Sequence, residues 1–338
     1  MPIWNQFLSS VPSRVPFSFN PSFFDFYIRH FQWKPYYFIL FSGDDVASLL
    51  PLVDTGKRWV SLPHFSYGGF INKPDDCLGP DENTVQKLIS LVQKKELDSG
   101  FYRVDDNKSL IEGDFRKKIF IRTIQPNVLK ETCQKVSSFL PLPESDKTLF
   151  TRLKSNLRRK IIKARNSGFD IKIGGKEMLP LFYEVYSRKI HNLGSPAYGK
   201  RFFQHLLETY QFGDALIFFV TQEQKPVGTA LLLSYHDFYE SVWFATCQDA
   251  YKDYISDFLH WQMILHAFSK NAKIYSFGRS TTNGSVHQYK RHWPVVDIPI
   301  YQMGENSIKN QKWLSSAWKI MPYSVTKQLG PVLVKHIY

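Results

Sequence analysis

Short apolar runs separated by polar breaks dominate the first third of the chain. Tyr36–Phe41, Val46–Val53 and Arg58–Leu62 are such runs, and the breaks between them, Gly43-Asp44-Asp45 and Thr55-Gly56-Lys57, carry turn residues. Runs of this kind with connections that short predict an antiparallel ladder of strands. Ahead of them, Phe23–Phe31 crowds aromatic residues into a short helix with its bulky side chains inward. Behind them, Asp81–Ser99 spaces Val85, Leu88, Ile89 and Val92 at helical intervals and ends beside Gly100. Phe101–Val104 and Lys117–Ile124 predict further strands. Val128–Leu140 reads as a helical piece, stopped by Leu-Pro-Leu-Pro. The domain boundary is placed here: residues 1–145 form one unit and 146–302 a second, with the segment from about 303 to 338 able to pack back on the first.

The second half repeats the mixture. Phe150–Gly168 carries Phe150, Leu153, Leu157, Ile161 and Ala164 in one helical stripe, with Gly168 as its stop. Phe169–Ile173 is a strand, and Glu177–His191 and Tyr198–Tyr210 are helices. Ala215–Thr221, Val227–Tyr235 and Phe238–Thr246 form a meander through short turns. Asp253–Asn271 is a long helix, Lys273–Phe277 a buried strand, Val295–Tyr301 another strand and Lys309–Met321 a last helix. Both halves are therefore α+β, each a mostly antiparallel mixed sheet flanked by helices.

Composition narrows the function. The 338 residues are 43% hydrophobic and 16% aromatic, which excludes a disordered chain. The formal net charge of +13 points to an anionic partner: nucleic acid, an anionic membrane surface or a phosphorylated substrate. Three cysteines, Cys77, Cys133 and Cys247, without a CxxC pair, fit a reducing cytoplasm and argue against a disulfide framework or a structural metal. No apolar run is long enough to span a bilayer, which leaves peripheral contact at the inner face of the membrane open.

The charge is not spread evenly. Arg152, Lys154, Arg158, Arg159, Lys160, Lys163 and Arg165 cover the predicted helix 150–168, with no acid between Lys147 and Phe169. Intrahelical pairing cannot explain them, so Arg152, Lys154, Arg158, Arg159 and Lys163 are candidates for binding phosphate or nucleic acid. A second concentration runs from Ser276 to Trp293, SFGRSTTNGSVHQYKRHW. A strand leads into a polar segment with Gly278 and Gly284, then into Arg279, Lys290 and Arg291 with His287 and His292. Backbone amides and cations gathered this way suit an anion or a developing oxyanion. Arg279, Ser280 and Ser285 are the binding candidates, Lys290, Tyr289 and His287 the catalytic ones. Upstream, Tyr67-Gly68-Gly69 follows a strand and lets backbone approach a ligand closely, or makes an ordinary tight turn.

Four segments together resemble a known family. SLPHFSYGGF (Ser61–Phe70), RLKSNLRRKIIKARNSGF (Arg152–Phe169), HNLGSPAYGKRFF (His191–Phe203) and FGRSTTNGSVHQYKRHW (Phe277–Trp293) stand in the order seen in FemAB-like proteins. The chain resembles the FemABX group of double-GNAT acyltransferases, most of all its branch associated with exopolysaccharide and cell-envelope genes. The resemblance implies two tandem GNAT-like domains and transfer of an aminoacyl or acyl group to an amine of a peptidoglycan precursor or glycan. It implies no tightly bound cofactor and a co-substrate, aminoacyl-tRNA or acyl-CoA, as donor. It also implies that Lys290 stabilises the reacting carbonyl. The chain lacks the long charged coiled-coil insertion of larger members. Before the Asp253 helix it has Cys247-Gln248-Asp249-Ala250-Tyr251-Lys252 in place of the usual glycine-bearing pyrophosphate loop. The donor therefore stays open. Two other readings compete: a non-catalytic module that binds RNA or an anionic glycan, and a peripheral membrane protein held by the basic helix and the apolar tail Leu329–Tyr338.

Overall fold

The computed structural model describes residues 2–11, 15–73, 82–105, 118–124, 132–304 and 312–335. They form two compact α+β units, one from residues 1–137 and 298–306, the other from 138–297 and 307–337.

The first unit begins with helices α1 (Pro2–Ser10) and α2 (Ser22–Phe26), the latter continued by a π turn, Tyr27–Phe31. Strands β1 (Lys34–Ser42), β2 (Asp45–Asp54), β3 (Arg58–Val60) and β4 (Ile71–Asn72) follow, then α3 (Glu82–Lys94), β5 (Gly100–Asp105), β6 (Lys118–Thr123) and the start of β7 (Thr132–Pro141). β1 pairs antiparallel with β2 and parallel with β5, while β3 pairs antiparallel with β2 and parallel with β6. Alternation along β1 divides the core. Tyr36 and Phe38 join Leu50, Leu52 and the α3 residues Val85, Leu88, Ile89 and Val92 on one face. Tyr37 turns to the other, among Trp4, Phe24 and Phe101 with ring centroids 4.9–5.5 Å away.

In the second unit, α4 (Asp146–Arg152) and α5 (Ser155–Arg165) precede β8 (Phe169–Gly174), α6 (Leu179–Asn192) and α7 (Lys200–Thr209). The antiparallel meander β9 (Ala215–Gln222), β10 (Lys225–Tyr235) and β11 (Phe238–Thr246) is followed by α8 (Ile255–Ser269), β12 (Ile274–Thr281), α9 (Ser285–Lys290) and β13 (Val296–Met303). Last come α10 (Lys312–Ile320) and α11 (Tyr323–Lys335). The sheet runs β12-β11-β10-β9-β8, with β12 parallel to β11. Phe218 and Val220 of β9 face α5 and α8, while Phe219 between them meets Val185 of α6 on the opposite face. α8 is apolar almost all round, as a helix enclosed by sheet on one side and α5 on the other must be.

Four expectations change. The stretch read as one helix from Phe150 to Gly168 is two, because Leu153 and Lys154 are extended, with ψ of 144° and 143°. Ser145 caps α4, its Oγ accepting from the Thr148 N–H at 3.1 Å, and Arg158 of α5 donates to the Thr151 carbonyl at 2.8 Å, closing the other end of α4. The described part of Val128–Leu140 is strand β7; residues 128–131 lie outside the described residues, as do 309–311 of the last predicted helix and 336–338 of the tail. The described C-terminal residues 312–335, expected to join the first unit, group with the second. Both α10 and α11 pack on α6, Gly330 approaching the Ala197 backbone so closely that a Cβ there would lie 2.8 Å from its carbonyl oxygen. Residues 298–302 of β13, expected in the second unit, belong to the first.

Candidate functional site

β11 and β12 pair in parallel only from Phe238/Ile274 to Glu240/Ser276. Beyond that pair β11 continues to Thr246 and β12 to Thr281 as separate strands. Gly278, with φ of +70°, stands just past the divergence, a backbone conformation that a side chain resists. Its N–H donates to Ser276 Oγ at 3.0 Å, and Ser276 Oγ donates to Glu240 Oε2 at 2.9 Å. The buried carboxylate of Glu240 thus lies at the fork. Gly278 belongs to the strand, so the loop of the sequence reading is only its later half, where the Gly284 N–H closes on the Thr281 carbonyl at 3.0 Å and α9 begins.

Lys290, at the end of α9, reaches back to this fork. Only 5% of it is exposed, and its Nζ donates to the Gly278 carbonyl at 2.7 Å and the Arg279 carbonyl at 3.2 Å. An ammonium has three donors, and the third has no partner among the described residues. Burial lowers its pKa to about 8, against the opposing pull of Glu240 and Asp297.

Two buried polar residues that sequence reasoning missed, His260 and Asp257, come from α8. His260 of α8 is buried, its Nδ1 2.8 Å from the Tyr275 hydroxyl and its ring stacked on Phe244. Burial, then the Lys290 charge, holds its pKa well below the ordinary histidine value, so it is neutral. Asp257, in the first turn of α8, is also buried, and burial raises its carboxyl pKa. Its carboxylate interacts with the Tyr289 hydroxyl, which also meets the Trp293 indole, while the Ser280 hydroxyl and the Trp261 indole N–H are enclosed without a hydrogen-bond partner among the described residues. A buried hydroxyl and indole N–H without partners of their own suit a water or a polar ligand. The signal was present: Glu240 and Asp257 are the acids inside the otherwise apolar runs FYESVWFAT and ISDFLHWQMILHAF.

The other sequence candidates divide. Tyr289 lies with its ring centroid 5.9 Å from that of His260; burial, then Asp257, pushes its pKa well above 10, which makes it a donor and not a base. His287 is a bracket. Its Nδ1 accepts from the Asn283 N–H at 3.0 Å, so Nε2 carries the proton and donates to Asp297 Oδ2 at 2.8 Å. Asp297 Oδ1 accepts in turn from Ser138 at 2.7 Å, leaving His287 no free nitrogen for catalysis. The Asn283 and Gly284 amides, expected to face a ligand, are used inside the turn. Arg279 is half-buried, while Ser285, Arg291 and His292 are exposed.

Gly68 and Gly69 serve packing. Their N–H groups go to the Arg122 carbonyl and to Ser61 Oγ, and a Cβ on either would fall within 3 Å of Ser61 or Thr123. Tyr67 is buried and its carbonyl accepts from Ser18 at 2.9 Å. On the basic helices, Arg152, Lys154, Arg159 and Lys163 are exposed, and none of them makes an ion pair among the described residues. Arg158 caps α4, and Lys163 donates to the Lys252 carbonyl at 3.2 Å while its ammonium sits 5.1 Å from the Tyr254 ring centroid. The Cys247–Lys252 stretch contributes Cys247, Gln248 and Asp249 to a cleft of about 420 Å³, faced by Arg188 and Lys189 of α6. Among the described residues no cluster of His, Cys, Asp and Glu could hold a metal, and no helix is long and apolar enough to cross a membrane.

Comparison with known proteins bears on this arrangement. The acetyltransferase (GNAT) domain family matches residues 151–291, a span that starts on the basic helices and ends just after Lys290. No curated protein matches the sequence. Among solved structures, FemX is similar at 11% identity and a TM-score of 0.62, over 93% of this chain and 97% of that one. A conserved protein of unknown function from Bacteroides thetaiotaomicron is similar at 11% identity and a TM-score of 0.50, over 87% and 93%. L-PGS from Bacillus licheniformis matches at 10% identity and a TM-score of 0.46, over 85% and 87%. Residues 151–291 are thus similar to the acetyltransferase (GNAT) domain, and the chain has a fold like that of FemX.

Proposed function

We propose that the protein is an N-acyltransferase of FemAB type, moving an aminoacyl or acyl group from aminoacyl-tRNA or acyl-CoA to an amine of a cell-envelope precursor or glycan. The observation that carries this reading is the buried Lys290 ammonium at the fork of β11 and β12, inside the stretch that matches the GNAT domain. The acceptor nitrogen attacks the donor carbonyl carbon and a C–N bond forms. The carbonyl oxygen takes up negative charge, and the third N–H of Lys290 holds it. Asp257, made more basic by burial, takes the proton that the attacking amine must lose. Collapse breaks the ester C–O or thioester C–S bond, and the leaving group departs with that proton. No covalent enzyme intermediate is required, because orientation and charge stabilisation suffice.

The exposed cations Arg152, Lys154 and Arg159 support a polyanionic donor, and therefore tRNA over a small thioester. They equally support the second reading, a non-catalytic module that holds RNA or an anionic glycan. Purified protein incubated separately with charged tRNA and with acyl-CoA thioesters decides between them. Acyl transfer from one donor, reduced about 100- to 1,000-fold in Lys290→Ala, is the expected result. Turnover of neither donor, with nucleic acid still bound, favours the module and sinks the enzyme. Work at the inner face of the membrane belongs to the same proposal, since a cell-envelope precursor would be met there.

A further inference from the structure

Away from the Lys290 fork, a groove of about 790 Å³ lies between α6, the start of α7 and α11. Its walls carry Arg188, Lys200, Arg201 and Lys327, from three different helices, against one acid, Glu184. Glu184 is 3.8 Å from Arg188 with both side chains 62% exposed, a weak pair that leaves most of the positive charge uncompensated. All four cations are exposed, so the groove turns its positive charge toward any anion that enters. The groove is shaped around this charge. The Arg188 guanidinium sits 5.0 Å from the Tyr323 ring centroid, and the Lys327 ammonium lies 5.7 Å from Tyr323 and 5.8 Å from Tyr183. Tyr323 is itself fixed, its hydroxyl 2.7 Å from Ser187 Oγ. Independently of these side chains, α7 starts at Gly199 without a side-chain cap, so its positive end adds to the same field. Gly199 packs against Pro331 of α11, where a Cβ would meet the ring at 3.0 Å, so α11 is fitted to that helix start.

We propose that this groove binds a small molecule through a phosphate or pyrophosphate group. A carboxylate offers one charge and would leave most of the cations unmatched. A pyrophosphate offers several charges and oxygens that suit both the planar Arg forks and the Lys point charges. The volume is that of a small-molecule site. The same chemistry could arrive on a soluble phosphorylated molecule or on a lipid headgroup, and the inference does not depend on the acyl-transfer reading.

The test uses the full chain in two arms: titration calorimetry with sodium pyrophosphate against sodium sulfate at matched ionic strength, and co-sedimentation with phosphatidylcholine vesicles with and without phosphatidic acid. The variants are Lys200→Gln/Arg201→Gln and Lys327→Gln, with Lys225→Gln/Lys270→Gln, exposed cations outside the groove, as a control whose charge change equals that of the groove pair. Binding of the phosphate probe that weakens about tenfold or more in the groove variants, and holds in the control, is expected. The arm in which it occurs tells whether the phosphate is soluble or lipid-borne. No binding in either arm, or equal weakening by the control pair, overturns the site and leaves only a diffuse positive surface.

Discussion

Replacing Lys290 by Met tests the fork through stability as well as rate. The lysine is 5% exposed and its pKa is lowered to about 8 by burial. In the unfolded chain the same group holds its proton to about 10.4. Between those values the unfolded state binds more protons than the folded state, so this residue makes stability rise with pH. Each unit of difference corresponds to about 1.36 kcal/mol, which gives a gain of about 2 kcal/mol between pH 7 and 9.5. Lys290→Met has no such gain, and titrating groups that do not interact with Lys290 cancel in the difference between the two proteins. At pH 7 the variant also loses the cost of a charge held in a dry place, offset by the two hydrogen bonds to Gly278 and Arg279 and by leaving Glu240 without its cation. Urea midpoints measured for both proteins at half-unit steps of pH give the curve directly. Acyl transfer in the wild type should decline as pH rises through about 8, where the ammonium is lost. Stability curves that run parallel from pH 7 to 9.5 would refute the placement of a charged lysine at the fork.

Asp257→Asn should lower turnover about 100- to 10,000-fold by removing the proton acceptor. Its carboxyl pKa is raised in the fold, so any stability it contributes is present only below the unfolded value and is lost as pH rises through the folded one. Urea midpoints of the Asn variant at pH 7 should therefore match or exceed those of the wild type. His287→Ala should cost about 1–3 kcal/mol in thermal unfolding, because the Asn283 N–H and the Asp297 carboxylate both lose a partner, yet leave the pH–rate profile unchanged in shape. Gly69→Ala should destabilise more than Gly56→Ala. Both glycines have φ above +80°, but only at Gly69 would a Cβ meet another side chain, Thr123 at 2.9 Å, and melting temperatures rank the two. If tRNA is the donor, Arg152→Gln/Lys154→Gln/Arg159→Gln should reduce the slope of log affinity against log salt by about 2–3, as fluorescence anisotropy with labelled tRNA would record.

Much of the fold was legible because burial on two faces follows the period of each element. The meander β9-β10-β11 and the ladder β1-β2-β3 occupy the predicted runs, since alternation and short turns are local properties. The break between α4 and α5 was hidden by the same logic. Leu149, Leu153, Leu157 and Ile161 keep a four-residue spacing straight through the extended residues 153 and 154, and all four are buried. No proline or glycine interrupts them, so the pattern carries no sign of the kink. In β7, Val136, Phe139 and Leu140 stand at helical intervals, yet Ser137 and Ser138 are fully buried between them. What overrides the period there is placement in a sheet beside β12, a strand more than a hundred residues away in sequence. The final helix α11 is a further case, because Val325, Leu329, Val332 and Leu333 are exposed while Thr326 and Gly330 are buried, the reverse of the usual pattern.

The site obeys a different rule. Lys290 could be named from its motif, whereas Glu240 and His260 beside it, and Asp257 beside Tyr289, could not, because they come from β11 and α8 through the crossover that makes β12 parallel to β11. Sequence proximity favoured His287, and geometry assigns it to Asp297 and the turn. Titration separates a catalytic fork from a solvated basic turn. A lysine at a loop rim keeps its ordinary pKa and needs no carboxylate from another strand. Lys290 is drawn down by burial and pulled back by Glu240 and Asp297, so its charge is held against a cost that a purely structural position would avoid by using Met or Leu. Under the proposed reading, the buried ammonium with its spare donor is arranged for a charge that arrives with a substrate.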